Sequence, residues 1–128
     1  MGRIFKTPDF ANWAENEGVA DEALISAVKE MEDGLMDANL GGSVYKKRVA
    51  RNGQGKSGGF RTLIAFKGLN NSFFLYGFAK NERDNISKKE KTALKALAKE
   101  MFSYSDEELK KALNNSSLIE VIERGNEK

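Results

Sequence analysis

Positive charge is concentrated in one stretch of this 128-residue chain, and that stretch holds the residues best suited to chemistry on an anion. Residues 38–81 contain no Asp or Glu but carry eight basic side chains: Lys46, Lys47, Arg48, Arg51, Lys56, Arg61, Lys67 and Lys80. Residues 1–37 hold nine acidic and three basic residues, and residues 82–128 hold ten of each. Charge segregation of this kind concerns binding partners rather than folding. The concentrated positive charge of residues 38–81 favours a ligand that carries phosphate.

Two predicted strands carry the central part of this charge. Alternation in the first places Lys46 and Arg48 on one face and Lys47 on the other. Charged side chains can also protect an exposed edge strand, so this pattern alone leaves a structural role open. Arg61 interrupts an otherwise apolar strand, and no acid lies within the surrounding window to pair with it. An Arg in that position indicates either a buried partner or a functional cleft.

The chain contains no Cys and no His. Disulfides, thiol catalysis and thiolate metal sites are therefore excluded, and the commonest general acid–base group and metal ligand is missing. The Asp and Glu residues are predicted on helix surfaces, so neither a metal nor another cofactor is expected. Residues 53–57 (GQGKS) resemble the end of a nucleotide-binding P-loop, but Ala50 stands where that motif needs Gly, and the segment joins two strands.

The composition fits a single domain over residues 1–128, because 40% hydrophobic residues with eight Phe can fill a core. No stretch has the length and apolarity of a membrane span, and the N-terminus lacks a signal-peptide pattern. A cytoplasmic protein with no membrane contact is expected.

Periodicity and capping residues predict the helices. The first should begin at Thr7, with Pro8 in its first turn, and end at Gly18. The second should begin at Asp21 and bury an apolar stripe. Capping boxes at Ser87 and Ser105 predict two C-terminal helices.

Alternating or continuous apolar residues predict three core strands at residues 44–50, 60–67 and 72–79. Short connections favour antiparallel pairing between them. A brief alternation at residues 3–6 fits a short strand, and Gly41 and Gly42 are predicted to form a turn. Residues 117–122 are predicted to form a short helix, although their apolar residues suit a strand equally well.

Three motifs stand out together: the basic strand at residues 40–50 (LGGSVYKKRVA), the glycine-rich link at residues 55–61 (GKSGGFR) and the strand end at residues 76–86 (YGFAKNERDNI). The combination resembles the RelE/ParE superfamily of bacterial toxins, most closely its RelE-like, HigB-type branch. The resemblance covers about residues 3–102 and leaves residues 103–128 as a C-terminal helical extension. It implies an α+β fold in which N-terminal helices pack on a curved antiparallel sheet of three to four strands.

The resemblance also implies a function. Such toxins cleave mRNA without a metal, usually on translating ribosomes, by attack of a ribose 2′-hydroxyl on the adjacent phosphate, and a cognate antitoxin inhibits them. Arg61 matches the family's strand Arg, which looks like the transition-state clamp, and Lys46 and Arg48 match its phosphate-binding pair. Preorganised cations can stabilise the charge that develops on the phosphorane. A Lys whose pKa is lowered by neighbouring cations could act as the base.

The chain departs from the family at two positions, because Asn81 and Ser87 stand where many RelE toxins carry Arg and Tyr. Candidates to supply the missing catalytic groups are Lys80, Glu82, Arg83 and Tyr76. Further candidate RNA contacts are Lys47, Arg51, Lys56 and Tyr76. Two other functions stay open at this point: a ParE-like toxin that blocks DNA gyrase, and a non-catalytic nucleic-acid-binding module. Nothing in the chain demands more than a monomer when the protein is free.

Overall fold

The computed structural model describes residues 2–50, 59–79 and 86–122. Within these ranges a six-stranded sheet lies between two pairs of helices. The strands are β1 (Ile4–Lys6), β2 (Ala38–Gly41), β3 (Val44–Val49), β4 (Phe60–Ala65), β5 (Ser72–Ala79) and β6 (Ile119–Val121). The helices are α1 (Pro8–Glu17), α2 (Asp21–Glu32), α3 (Lys88–Phe102) and α4 (Asp106–Asn114). The predicted α+β class is confirmed.

The sheet is larger than predicted and is not wholly antiparallel. Its strand order is β2-β3-β4-β5-β1-β6, and β1 runs parallel to β5, whereas the other neighbouring pairs are antiparallel. Ile4 and Phe5 are buried on opposite faces, which holds β1 beside β5 although about 70 residues separate them. The expectation of three to four antiparallel strands was therefore wrong in detail, because long-range pairing leaves little signal in local periodicity.

The tail corrects a second prediction, since residues 119–121 form strand β6 rather than a helix. β6 pairs antiparallel with β1, and Val121 is buried against the N-terminal helices. Arg3, which directly precedes β1, donates two hydrogen bonds to the Glu120 carboxylate, from Nε and Nη2, both at 2.9 Å. Pairing with β1 therefore determines that residues 119–121 form a strand, although the local sequence suits a helix or a strand equally well.

The residues before β3 were expected to be only a turn, but they include a further strand. Ala38–Gly41 forms strand β2 at the edge of the sheet, paired with β3. The turn itself is two residues long, Gly42 and Ser43, with φ angles of 61° and 64°. Positive φ at both positions is the requirement of a type I′ hairpin turn.

The predicted helix ends are confirmed. Thr7 Oγ1 accepts a hydrogen bond from the Phe10 N–H at 3.1 Å, and Gly18 ends α1 with a φ of 75°. The side chains of Ser87 and Ser105 each accept from the backbone three residues later, which completes the two capping boxes. No helix in the described part of the chain is long and apolar enough to cross a membrane.

Each face of the sheet has its own apolar cluster. Helices α1 and α2 cover one face, where Phe10, Leu24 and Met31 pack against sheet residues such as Phe74. Helices α3 and α4 cover the other face, where Met101 and Leu109 pack against other sheet residues. We call these the α1/α2 face and the α3/α4 face.

One close contact fixes α1 behind the centre of the sheet. The indole of Trp13 lies over Gly77 on β5, where a β-carbon would come within 2.3 Å of Trp13 Cζ3. The same indole packs edge-on against Phe60, with 5.1 Å between ring centroids. Since Phe60 directly precedes Arg61, this contact supports the strand on which Arg61 stands.

Candidate phosphate-binding site

Four of the site candidates, Lys46, Arg48, Arg61 and Tyr76, lie on the α3/α4 face of strands β3, β4 and β5. Arg48 on β3 lies directly opposite Arg61 on β4, and Arg61 lies opposite Phe78 on β5. Lys46 is two residues from Arg48 on the same face, which makes it a diagonal neighbour of Arg61. Diagonal neighbours on a sheet are about 7–8 Å apart, within reach of one phosphate group for side chains of this length. Lys46, Arg48 and Arg61 form what we call the cationic cluster.

Arg61 is the centre of this cluster. Its Nη1 atom is buried, and no described residue accepts a hydrogen bond from it. A buried donor without a partner costs about 1–3 kcal/mol, and more when the group is charged. Arg48 directly opposite adds repulsion, because like charges facing each other across two strands are destabilising. An anion bound at this position would relieve both costs.

Apolar residues beside Arg61 strengthen its electrostatic effect. Leu63, Phe78 and Ile86 form a small buried cluster on the α3/α4 face. A low local dielectric increases the interaction between a guanidinium and an approaching anion relative to water. The neighbourhood therefore favours a strong interaction with any phosphate that reaches Arg61.

Arg48 is held in place by Asp37, which the sequence reasoning missed. The carboxylate of Asp37 accepts hydrogen bonds from the backbone N–H of Arg48 and, at 3.0 Å, from its Nε. The Arg48 side chain is still 46% exposed, so its outer nitrogens remain accessible. Asp37 is the last acid before the acid-free window, and only the pairing of β2 with β3 brings it to Arg48.

Lys47 is not part of the cluster, although it was a candidate RNA contact. Its side chain lies on the α1/α2 face, is only 5% exposed and places Nζ 2.7 Å from Glu30 Oε1 on α2. Thr62 Oγ1 donates a hydrogen bond to the Lys47 carbonyl at 2.9 Å. The alternation that separated Lys47 from its neighbours is confirmed, and Lys47 is left out of the site proposed below.

Tyr76 and Lys46 flank the centre of the cluster. Tyr76 on β5 is half-buried opposite Leu63 and packs against Phe78, with 6.2 Å between ring centroids. Lys46 is also half-buried, and it forms no ion pair with any residue in the described ranges. Lys46 is therefore available to a ligand, whereas Tyr76 contributes mainly to the apolar floor.

The other candidates lie outside the described residues: Arg51, Lys56, Lys80, Glu82 and Arg83. Their roles stay predictions. In the described part of the chain, no group of three or more Asp or Glu side chains is placed to hold a metal ion.

A comparison with protein families identifies the chain. A sequence model described as the RelE toxin of the RelE/RelB toxin–antitoxin system matches residues 2–121. The chain belongs to this toxin family. The recognised resemblance is therefore confirmed at the level of the RelE family, and the HigB-type branch stays a prediction. A search among curated proteins found no match.

The family match extends further than the motifs did. It includes α4 and β6, whereas the resemblance carried by the motifs ended near residue 102. This extent agrees with the structure, because β6 pairs with β1 in the same sheet as the cationic cluster. Members of this family are the toxins of a toxin–antitoxin system, so an antitoxin is the partner that membership implies.

Proposed function

We propose that this RelE-family toxin is a metal-independent endoribonuclease that cleaves mRNA on the ribosome, in the cytoplasm. The observation that carries the proposal is the Arg61 guanidinium, buried at Nη1 without an acceptor among the described residues and flanked by two further cations. A structural Arg would be expected to have an acid beside it. An Arg that awaits a phosphate would not.

The chemistry suits the cluster. The 2′-oxygen of a ribose attacks the adjacent phosphorus, the bond from phosphorus to the 5′-oxygen breaks, and the products are a 2′,3′-cyclic phosphate and a free 5′-hydroxyl. Negative charge increases on the non-bridging oxygens in the transition state. Cations that are already in place stabilise that charge without reorganisation, which is the most effective form of electrostatic catalysis.

The three cations take different roles in this proposal. Arg61 clamps the non-bridging oxygens at the centre, since it has the free buried donor. Arg48 binds the same or the neighbouring phosphate through its outer nitrogens while Asp37 holds its Nε. Lys46 adds a third positive charge on the same face and is a candidate base for the 2′-hydroxyl.

Two proton transfers complete the reaction. One removes the proton of the attacking 2′-hydroxyl, and the other supplies a proton to the departing 5′-oxygen. Lys80, Glu82 and Arg83 are the candidates for these steps besides Lys46, on the sequence argument alone. A cognate antitoxin would inhibit the toxin, and we expect the free toxin to be a monomer.

Arg61→Ala tests the proposal directly. Purified wild-type protein should cleave mRNA in the presence of ribosomes and leave 2′,3′-cyclic phosphate ends, whereas Arg61→Ala should lower the cleavage rate by about 10²–10³-fold and abolish growth arrest. Lys110→Ala, an exposed residue on α4, is the matched control and should cleave normally. Circular dichroism and thermal melting establish that both variants fold.

Mapping of mRNA 5′ ends after induction separates the competing functions. New 5′ ends that depend on Arg61 support the endoribonuclease. DNA damage with intact mRNA, and toxicity that survives in a folded Arg61→Ala variant, would instead support a gyrase inhibitor. RNA binding without any cleavage would support a non-catalytic module.

A further inference from the structure

A second group of cations lies beyond the cationic cluster, along the C-terminal half of helix α3. Lys67, which follows β4, and Lys95 and Lys99 on α3 line an open groove of about 410 Å³ together with Gly42 and Ser43 of the β2–β3 turn. We call it the α3 groove. No acidic residue lines it, and none of its three lysines forms an ion pair with another described residue.

Two of these lysines are spaced along α3 so that their charges repel each other. Lys95 and Lys99 are four residues apart on one helix, and like charges at that spacing destabilise a helix by a few tenths of a kcal/mol. Lys67 brings a third positive charge to the same groove and lies 4.6 Å from the centre of the Phe102 ring. Three ammonium groups around one groove, none of them in an ion pair with a described carboxylate, indicate a polyanionic ligand.

The β2–β3 turn gives one of these lysines a fixed position. A β-carbon at Gly42 would come within 3.1 Å of Lys95 Cγ, and one at Gly41 within 3.1 Å of Lys95 Nζ. The Lys95 stem therefore lies along the turn, in contact with its backbone, and its ammonium is held over Gly41. A cation held by packing loses less side-chain entropy on binding than a freely moving one.

The groove lies on the same face of the sheet as the cationic cluster. Lys67 lies six positions after Arg61, which is roughly 20 Å at about 3.3 Å per strand residue. Helix α3 packs on the α3/α4 face over this distance, with Leu94 near Leu63 and Met101 near Phe73. A single strand held at Arg61 could therefore continue along α3 to reach the groove.

We propose that the α3 groove is a second binding site for an RNA backbone, which holds the strand by its phosphates and without regard to base sequence. The choice of RNA rests on the proposed function, while the charge and shape of the groove are independent of it. Phosphate contacts of this kind position a nucleic acid without reading its sequence. Each should add to the salt dependence of binding, by about 0.7 in the slope of log affinity against log salt for a single strand.

The test is a binding titration with a 12-nucleotide single strand of 2′-O-methyl RNA, which cannot undergo 2′-hydroxyl attack. The variant is Lys95→Gln with Lys99→Gln, and the control is Lys110→Gln with Lys111→Gln, two exposed lysines of α4 that lie outside the groove. Both double variants lower the net charge by the same amount. We expect the groove variant to bind roughly tenfold more weakly at low salt with a slope reduced by about 1.4, and the control to match wild type.

Three results would overturn the inference: equal affinity and slope for the two double variants, no binding of the RNA by wild type, or binding of poly-glutamate in place of RNA. The last would assign the groove to an acidic protein segment. Cleavage assays are independent of this readout. Loss of RNA binding in the groove variant supports the groove even if the chain cleaves nothing, and unchanged binding removes the groove while leaving the endoribonuclease intact.

Discussion

Lys47 and Arg61 lie on adjacent strands, β3 and β4, but only Lys47 has an acidic partner among the described residues. Lys47 lies on the α1/α2 face, where it is almost fully buried with Nζ 2.7 Å from the Glu30 carboxylate. Arg61 lies on the α3/α4 face, where Nη1 is buried and no described residue accepts its hydrogen bond. The sequence alone does not distinguish the two residues, because each is a cation within a predicted strand. The fold pairs Lys47 with an acid and leaves Arg61 Nη1 without an acceptor among the described residues.

The distribution of acids along the chain explains the difference. The acidic residues 1–37 form α1 and α2, so they supply carboxylates to the α1/α2 face. The α3/α4 face is covered in part by α3, which holds five lysines and two glutamates. Segregation of charge along the sequence thus becomes segregation across the sheet. A single acid, Asp37, reaches the cationic cluster from the described residues.

The strongest test of this contrast is Arg61→Met, which keeps an apolar stem and removes the charge. If Arg61 awaits an anion, its loss should lower the rate of mRNA cleavage by about 10²–10³-fold, as expected for one transition-state donor. The melting temperature should stay the same or rise, because a buried donor atom without a described acceptor is removed. Single-turnover cleavage and thermal melting measure the two effects.

The informative control is Lys46→Met, which removes a cation of the same cluster that, unlike Arg61, has no buried atom without a partner among the described residues. It should lower cleavage less than Arg61→Met and leave stability unchanged. A clear fall in the melting temperature of Arg61→Met would contradict the contrast, because it would show that Arg61 stabilises the free protein.

Lys47→Met should have the opposite profile. It leaves the Glu30 carboxylate without its lysine partner, and breaking a buried ion pair in this way is strongly destabilising. We expect a loss of about 2–3 kcal/mol in the free energy of unfolding, somewhat below the range for fully buried pairs because the Glu30 side chain is 28% exposed. Cleavage per folded molecule should be unchanged. Urea unfolding, and cleavage measured below the unfolding transition, check both points. A catalytic defect in the folded variant would show that Lys47 contributes to the site.

Removing both partners sharpens the interpretation of that pair. Lys47→Met combined with Glu30→Leu replaces two charges by apolar side chains of comparable size, which is often neutral or stabilising. The double variant should recover to within about 1 kcal/mol of wild type. A double-mutant cycle by urea unfolding measures the coupling. Additive losses would mean that Lys47 and Glu30 act separately.

The elements with local signals were predictable from the sequence. Thr7, Ser87 and Ser105 each begin a helix because their side chains cap it, and these caps depend only on residues within one turn. Strands β2 and β6 were not predicted, because each exists only through a partner elsewhere in the chain. The parallel placement of β1 beside β5 is a long-range feature for the same reason.

The sequence predicted which cations share a face of β3, but not which acids pair with them. Period-two alternation separated Lys47 from Lys46 and Arg48, as the structure shows. The sequence could not tell which face would meet the acidic helices, so Lys47 stayed a candidate RNA contact. Glu30 is 17 residues from Lys47 and Asp37 is 11 residues from Arg48. Only the packing of α2 and the pairing of β2 with β3 bring these acids to their cations.

Asp37→Asn gives the smallest expected effect and tests whether an acid can serve the cluster rather than neutralise it. The amide keeps an oxygen that can accept from the Arg48 backbone N–H but removes the charge that orients its guanidinium. Because the ion pair is partly exposed to solvent, stability should change by less than about 1 kcal/mol. Cleavage should fall by about threefold to tenfold if Asp37 positions Arg48, as for a misplaced substrate-binding group.

If Asp37 only cancels the charge of Arg48, removing it should increase the affinity of the cluster for RNA and leave cleavage equal or faster. Affinity for uncleavable RNA and the single-turnover rate therefore distinguish an acid that positions Arg48 from one that neutralises it. A faster Asp37→Asn variant would show that Asp37 neutralises Arg48, as Glu30 neutralises Lys47.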